Sequence, residues 1–115
     1  MIFGYKSDKL NNIQVFKLSG ELIDKNQAKE LLAEVEQLTA IGQNKILLDL
    51  HKLDYVNSSG LNVFINILTK ARKGSGEVVI CCVNSKIKEL LVITKLDSIF
   101  KVSDSEQEAL EILNK

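Results

Sequence analysis

Two short, almost unbroken apolar runs constrain this chain more than any other feature. Lys45 to Leu50 reads KILLDL and Val78 to Val83 reads VVICCV. Runs of this length that do not alternate with polar residues are what strands look like when both faces of their sheet are covered. Between them, Leu61, Phe64, Ile65, Leu68 and Ala71 recur at helical spacing, so a helix is predicted from about Ser58 to Lys73. Asn57 or Ser58 is placed to cap it, and Gly74 and Gly76 to end it. A strand, a helix and a second doubly covered strand make a parallel unit with a right-handed crossover.

The flanking segments extend this unit. Ile2–Tyr5 and Ile13–Leu18 read as two strands, with Ser7, Asp8, Asn11 and Asn12 in the turn between them and Gly20 ending the second. Ala28, Leu31, Leu32, Val35 and Leu38 mark a helix that Gly42 closes. Asp24 and Gln27 have capping-box spacing at its start, with Asp in the usual Ser/Thr place. Ser85 is placed to cap a third helix that turns Ile87, Leu90 and Leu91 inward. A short strand follows near 99–102, and Ser103 with Glu106, or Ser105 with Glu108, caps a last helix burying Ala109, Leu110 and Leu113. The predicted order is ββαβαβαβα: an α/β fold over 1–115 as one domain, mostly parallel, with an antiparallel N-terminal edge strand.

Composition removes several function classes. Fifteen basic residues balance fifteen acidic ones, so the chain has no net field to draw it to nucleic acid or an anionic membrane. One His and two adjacent Cys cannot supply a usual tetrahedral zinc site. Two Cys make no disulfide framework, which fits a reducing, cytoplasmic setting. The opening MIFGYKSDKL lacks the pattern of a signal peptide, and no apolar run approaches the roughly 20 residues that cross a bilayer. No metal and no cofactor are expected.

Individual polar residues offer little catalytic chemistry. Asp49 stands near the end of a buried strand, where open α/β sheets place their sites. A phosphoacceptor there would need an acidic pair to hold a cation, and the first strands end in Tyr5-Lys6 and Ser19-Gly20 instead. Asp49 is therefore read as a structural support for the loop that follows it. His51, Lys52 and Asp54 read as that polar loop. Lys73-Gly74-Ser75-Gly76 follows a helix rather than opening one, so it is a turn and not a phosphate cradle. Cys81 and Cys82 are read as small buried side chains, one on each face of their strand.

The stretch Asp54-Tyr55-Val56-Asn57-Ser58-Ser59-Gly60-Leu61 sets two hydroxyls at a helix N-terminus, where amides are free and the dipole is positive. On physical grounds alone this is a plain N-cap. The run ILLDLHKLDYVNSSGLNVFINILTKAR, 46–72, resembles the centre of STAS domains, the anti-sigma factor antagonists. Their pattern is an apolar strand ending in Asp, a short loop, and Asp-Ser/Thr-Ser/Ala-Gly-Leu opening a helix. The resemblance continues through KIKELLVITKLDSIFKVSDSEQEALEIL, 86–113, and through GELID at 20–24, so it covers nearly the whole chain.

The resemblance implies a STAS fold and a binding switch rather than an enzyme. It implies a partner that is both an anti-sigma factor and a serine kinase of the GHKL type. The unphosphorylated protein binds that partner and frees a sigma factor; the kinase phosphorylates the residue matching Ser58, with Ser59 as the alternative, and a phosphatase resets the switch. Glu21, Ile23, Asp24, Asn57, Ser58, Ser59, Gly60 and Asn62 are the expected partner surface. Asn57 departs from the pattern, standing where the family usually has Asp. As a cap the exchange is nearly neutral; as electrostatics it removes a charge beside the acceptor. Within the family, a non-switching scaffold subunit of a larger regulatory or transport complex is the alternative. From a different class, a small α/β phosphoacceptor or ligand-binding domain would use Asp49.

Overall fold

The computed structural model describes residues 2–114. Its five strands are β1 (Gly4–Leu10), β2 (Ile13–Leu22), β3 (Lys45–Val56), β4 (Glu77–Cys81) and β5 (Lys101–Ser103). They lie in the sheet in chain order; β1 is antiparallel to β2, and every later neighbour is parallel. The helices are α1 (Lys29–Ala40), α2 (Ser58–Lys73), α3 (Ser85–Ile93) and α4 (Glu106–Leu113), with 3-10 turns at Lys25–Ala28 and Leu96–Ser98. This is the expected ββαβαβαβα order with its antiparallel edge.

Alternate residues of the central strands serve two unequal cores. Phe16, Leu18, Ile46, Leu48, Val78 and Ile80 pack with Leu31 and Val35 of α1, Phe64 and Ile67 of α2, and Ile87 and Leu91 of α3. Ile13, Val15, Leu47, Val79 and Cys81 face the other way, against Ala109 and Leu113 of α4. Three helices thus cover one face and one short helix covers part of the other. That is why KILLDL and VVICCV are apolar on both sides.

Several boundaries move. β1 runs over Gly4–Leu10 rather than Ile2–Tyr5, and Ser7 and Asp8 belong to it; only Asn11-Asn12 form the turn, with Asn11 left-handed at φ 57°. The charges of β1 alternate along a largely exposed edge strand, and that pattern reads as a turn when apolar residues are the only guide. Gly20 does not end β2 but sits at a register shift with φ +82°. A Cβ there would strike the backbone of Ile2.

β3 is the largest change. It continues through His51, Lys52 and Asp54 to Val56, so those residues form no loop. Opposite β2, the pairings step from Lys17↔Asp49 to Ser19↔Lys52, and from Gly20↔Leu53 to Glu21↔Tyr55. Each step adds one residue to β3, and two adjacent residues then face outward between buried Leu50, Leu53 and Val56. The bulges break strict alternation, which is why this half of the strand looks like a loop in the sequence.

Smaller corrections concern helix caps and strand ends. Asn84 rather than Ser85 caps α3, accepting from the Ile87 amide. β4 stops at Cys81, and β5 begins at Lys101. Ser105 caps α4 by accepting from the Glu108 amide, while Ser103 donates its hydroxyl to the Ser105 carbonyl. Ile65 is 36% exposed, and Val63 and Ile67 take the inward positions of α2. The Asp24–Gln27 capping box is present; it opens the 3-10 turn that leads into α1.

Candidate functional site

α2 begins where its caps predict. The Asn57 Oδ1 accepts from the Gly60 amide at 2.9 Å, and the Leu61 amide donates to the Asn57 carbonyl at 2.9 Å. The next two side chains, Ser58 and Ser59, are exposed, and neither hydroxyl has a hydrogen-bond partner among the described residues. Gly60 is buried, so its role is close approach and not contact with a partner. A Cβ there would overlap the Leu22 carbonyl and a Val56 methyl. Only glycine lets the first turn of α2 lie this close to the ends of β2 and β3.

The segment after β2 is fixed to the same place. Gln27 accepts from the amides of Ile23 and Asp24 at 2.8 and 3.0 Å and donates to the Glu21 carbonyl. Asp24 accepts from the Asn26 amide at 2.9 Å. Asn57 reaches across: its Nδ2 donates to the Ile23 carbonyl at 2.9 Å, and its backbone amide donates to Leu22. One amide side chain therefore caps α2 and holds the Ile23 loop, a task for which Asp lacks the donor. Asn84 repeats the device, capping α3 while its Nδ2 donates to the carbonyls of Leu53 and Asp54.

The residues named from the sequence are thus brought to one end of the sheet. Ile23, Asp24, Ser58, Ser59 and Asn62 are exposed there, and Glu21 and Asn57 are half-buried. Sequence reasoning missed Lys86 and Tyr55. Both line a small cleft of about 210 Å³ beside Ser58, with Ile87 and Leu90 as its floor. The signal was available: in adjacent parallel strands the following helices start at the same sheet end, so the first turn of α3 had to neighbour that of α2.

The sequence and fold have known counterparts. The STAS domain family matches residues 5–109. The chain is 31% identical over 102 residues to the "putative anti-sigma factor antagonist BtrV" of Bordetella bronchiseptica, covering 89% of this chain and 87% of that one. This chain belongs to the STAS domain family. It is 29% identical over 99 residues to the anti-sigma F factor antagonist of Paenibacillus polymyxa, covering 85% and 84% of the two chains. A Thermotoga maritima crystal structure with the same description as the Bordetella protein matches at a TM-score of 0.87 and 27% identity, covering 96% of this chain and 95% of that one.

Elsewhere in this STAS domain, a groove of about 650 Å³ opens on the sheet face that α4 leaves bare. It is lined by Lys6, Lys17, Ser19, Asp49, His51 and Lys52, among others. It is larger than the cleft at Ser58 but holds none of the α2 residues. Asp49 is buried there, and its Oδ1 accepts from the His51 amide at 2.9 Å. It supports a strand bulge rather than a loop. Cys82 has left the strand with φ 66°, so the two cysteines do not point to opposite faces; their sulfurs are 3.2 Å apart. The donor atoms of Asp49, Cys81 and Cys82 lie within 4.8 Å of one another. No described helix is long and apolar enough to cross a membrane.

Proposed function

We propose that this STAS domain is an anti-sigma factor antagonist. It binds an anti-sigma factor with GHKL-type serine kinase activity, thereby freeing a sigma factor, and it releases that partner once Ser58 is phosphorylated. A phosphatase resets it. The observation that carries the reading is the exposed, unbonded Ser58 hydroxyl on a helix start that Asn57 ties to the Ile23–Asp24 loop. The names of the relatives support the class of partner.

The sheet supports a binding module over an enzyme. Open α/β sheets bind small molecules where the strand order reverses and neighbouring helices part to opposite faces. Here the order runs without reversal, and α1, α2 and α3 share one face. A phosphoacceptor role for Asp49 is disfavoured by its burial and by its bond to the His51 amide.

A phosphoryl group on Ser58 adds a charge of about −1.5 to −2. The helix N-terminus tolerates that charge, and the Lys86 side of the cleft adds a cation nearby. The modification therefore acts at the interface and leaves the fold intact. Ser58→Asp is expected to keep the melting temperature within about 3 °C and to weaken partner binding on the order of a hundredfold, as loss of a central contact does. A large fall in melting temperature with intact affinity overturns the reading. Phosphopeptide mapping after reaction with the partner kinase assigns Ser58; label on Ser59 alone moves the switch to that residue.

A further inference from the structure

The sequence places Cys81 and Cys82 back to back across a strand and Asp49 on a different strand. Two backbone features of the fold bring them together. Asp49 pairs with Cys81 in the β3–β4 register, so both project to the α4 face of the sheet. Cys82 then adopts a left-handed conformation, φ 66°, which non-glycine residues rarely occupy. That turn swings the second thiol back beside the first, at 3.2 Å, instead of sending it through the sheet.

We propose that Asp49, Cys81 and Cys82 form a three-donor binding site for a thiophilic divalent cation of the zinc class, with a fourth position open to solvent. A closed site of four Cys and His donors is excluded by composition, but a site with three protein ligands and one exchangeable position is a standard zinc arrangement. Two sulfurs and one carboxylate oxygen select zinc or cadmium over magnesium or calcium, which take oxygen donors. Two zinc–sulfur bonds of about 2.3 Å at a tetrahedral angle need sulfurs about 3.8 Å apart. The observed 3.2 Å is shorter, so binding has to part the two sulfurs by about 0.6 Å. A disulfide would need about 2.05 Å, with strain between adjacent residues.

On binding, both thiols lose their protons to solvent, two sulfur–metal bonds form, and Asp49 supplies an oxygen while its Oδ1 keeps the His51 amide. Three anionic donors and the dication leave one negative charge, and Lys17 stands opposite Asp49 in the β2–β3 register.

The test is a titration of the reduced full chain with Cd²⁺ alone, followed by thiolate-to-metal absorbance and by proton release in weak buffer. One equivalent is expected to saturate the band and release two protons, and bound metal is expected to raise the melting temperature. Cys82→Ser is partly exposed and should fold, as a thermal melt verifies; it is expected to abolish the band. Asp49→Asn keeps an oxygen for the His51 amide and is expected to weaken binding tenfold or more. Absence of a saturable band, an unchanged band in Cys82→Ser, or unchanged affinity in Asp49→Asn each overturns the site. So does a reduced chain that takes up no metal yet forms an 81–82 disulfide in air, which assigns the pair to redox chemistry.

Discussion

Asn57 makes two hydrogen bonds that separate cleanly by substitution. Its Oδ1 caps α2 through the Gly60 amide, and its Nδ2 holds the Ile23 carbonyl. Asn57→Ala removes both. A lost N-cap costs about 1 kcal/mol, and a lost hydrogen bond to backbone about 1 kcal/mol more. Asn57→Asp keeps the cap, loses the Ile23 bond, and recovers about 0.5 kcal/mol from a negative charge at the helix start. The expected losses are therefore about 2 kcal/mol for Ala and about 0.5 kcal/mol for Asp. With 115 residues and about 2.1 cal/mol/K per residue, each kcal/mol moves the melting temperature by about 4 °C. Calorimetry should place Asn57→Ala about 8 °C and Asn57→Asp about 2 °C below wild type. If Ala and Asp melt together, the cap is not stabilising and the two-bond account fails. If Asp melts above wild type, the Ile23 bond is worth less than the charge at the helix start recovers.

Three other outcomes follow from the geometry. Gly60→Ala forces a Cβ against the Leu22 carbonyl, which cannot rotate away; overpacking of this kind costs about 1–3 kcal/mol, against a gain of up to about 1 kcal/mol in helix propensity, so a melting temperature at or above wild type would contradict it. Phe64→Ala empties a fully buried position and should lower stability by about 3–5 kcal/mol, read as a lower urea midpoint at unchanged slope. The Tyr5 hydroxyl donates to Glu34 Oε1 at 3.0 Å, and burial first, then that bond and the nearby carboxylates, push it up from 10.0 to about 12. Because the folded value is the higher one, the contribution is whole below pH 10 and is lost as pH rises through about 12. The stability advantage of wild type over Tyr5→Phe should shrink across that window, and Tyr5→Phe should remove phenolate absorbance that rises near pH 12; a difference independent of pH there would refute the assignment.

The legible parts of the chain were those where one period dominated. KILLDL, VVICCV and the 3.6-residue repeat of α2 are each decided by burial on a single geometric rule; VVICCV and α2 fall within a residue or two of their observed bounds, and KILLDL marks the start of β3 at Lys45. β1 was misplaced because its exposed edge carries Lys6, Asp8 and Lys9, which no core selects. The second half of β3 was lost because bulges depend on the partner strand, and no local pattern in His51–Tyr55 encodes the register of β2. At the candidate site, Ser58 and the capping residues were visible as chemistry, since caps are local. The second bond of Asn57 was not, because it ends on Ile23, 34 residues away. Cys82 was misjudged for a related reason: a left-handed residue in an apolar run leaves no mark when it is not glycine or asparagine.

The unbroken order of the sheet also bears on how the chain reaches its native state. Each strand from β2 onward pairs with the strand that precedes it in the chain, so none has to be inserted between two strands already joined. Loops closed at each step are only as long as one crossover, which keeps the entropy of closure low and favours rapid assembly. During synthesis the β1–β2 hairpin and the β3 ladder can form while the residues of α4 are still inside the ribosome. The cost falls on the last step: until α4 docks, Val15, Leu47 and Val79 face water. That face is therefore most exposed to aggregation in the interval before the eight residues of α4 dock.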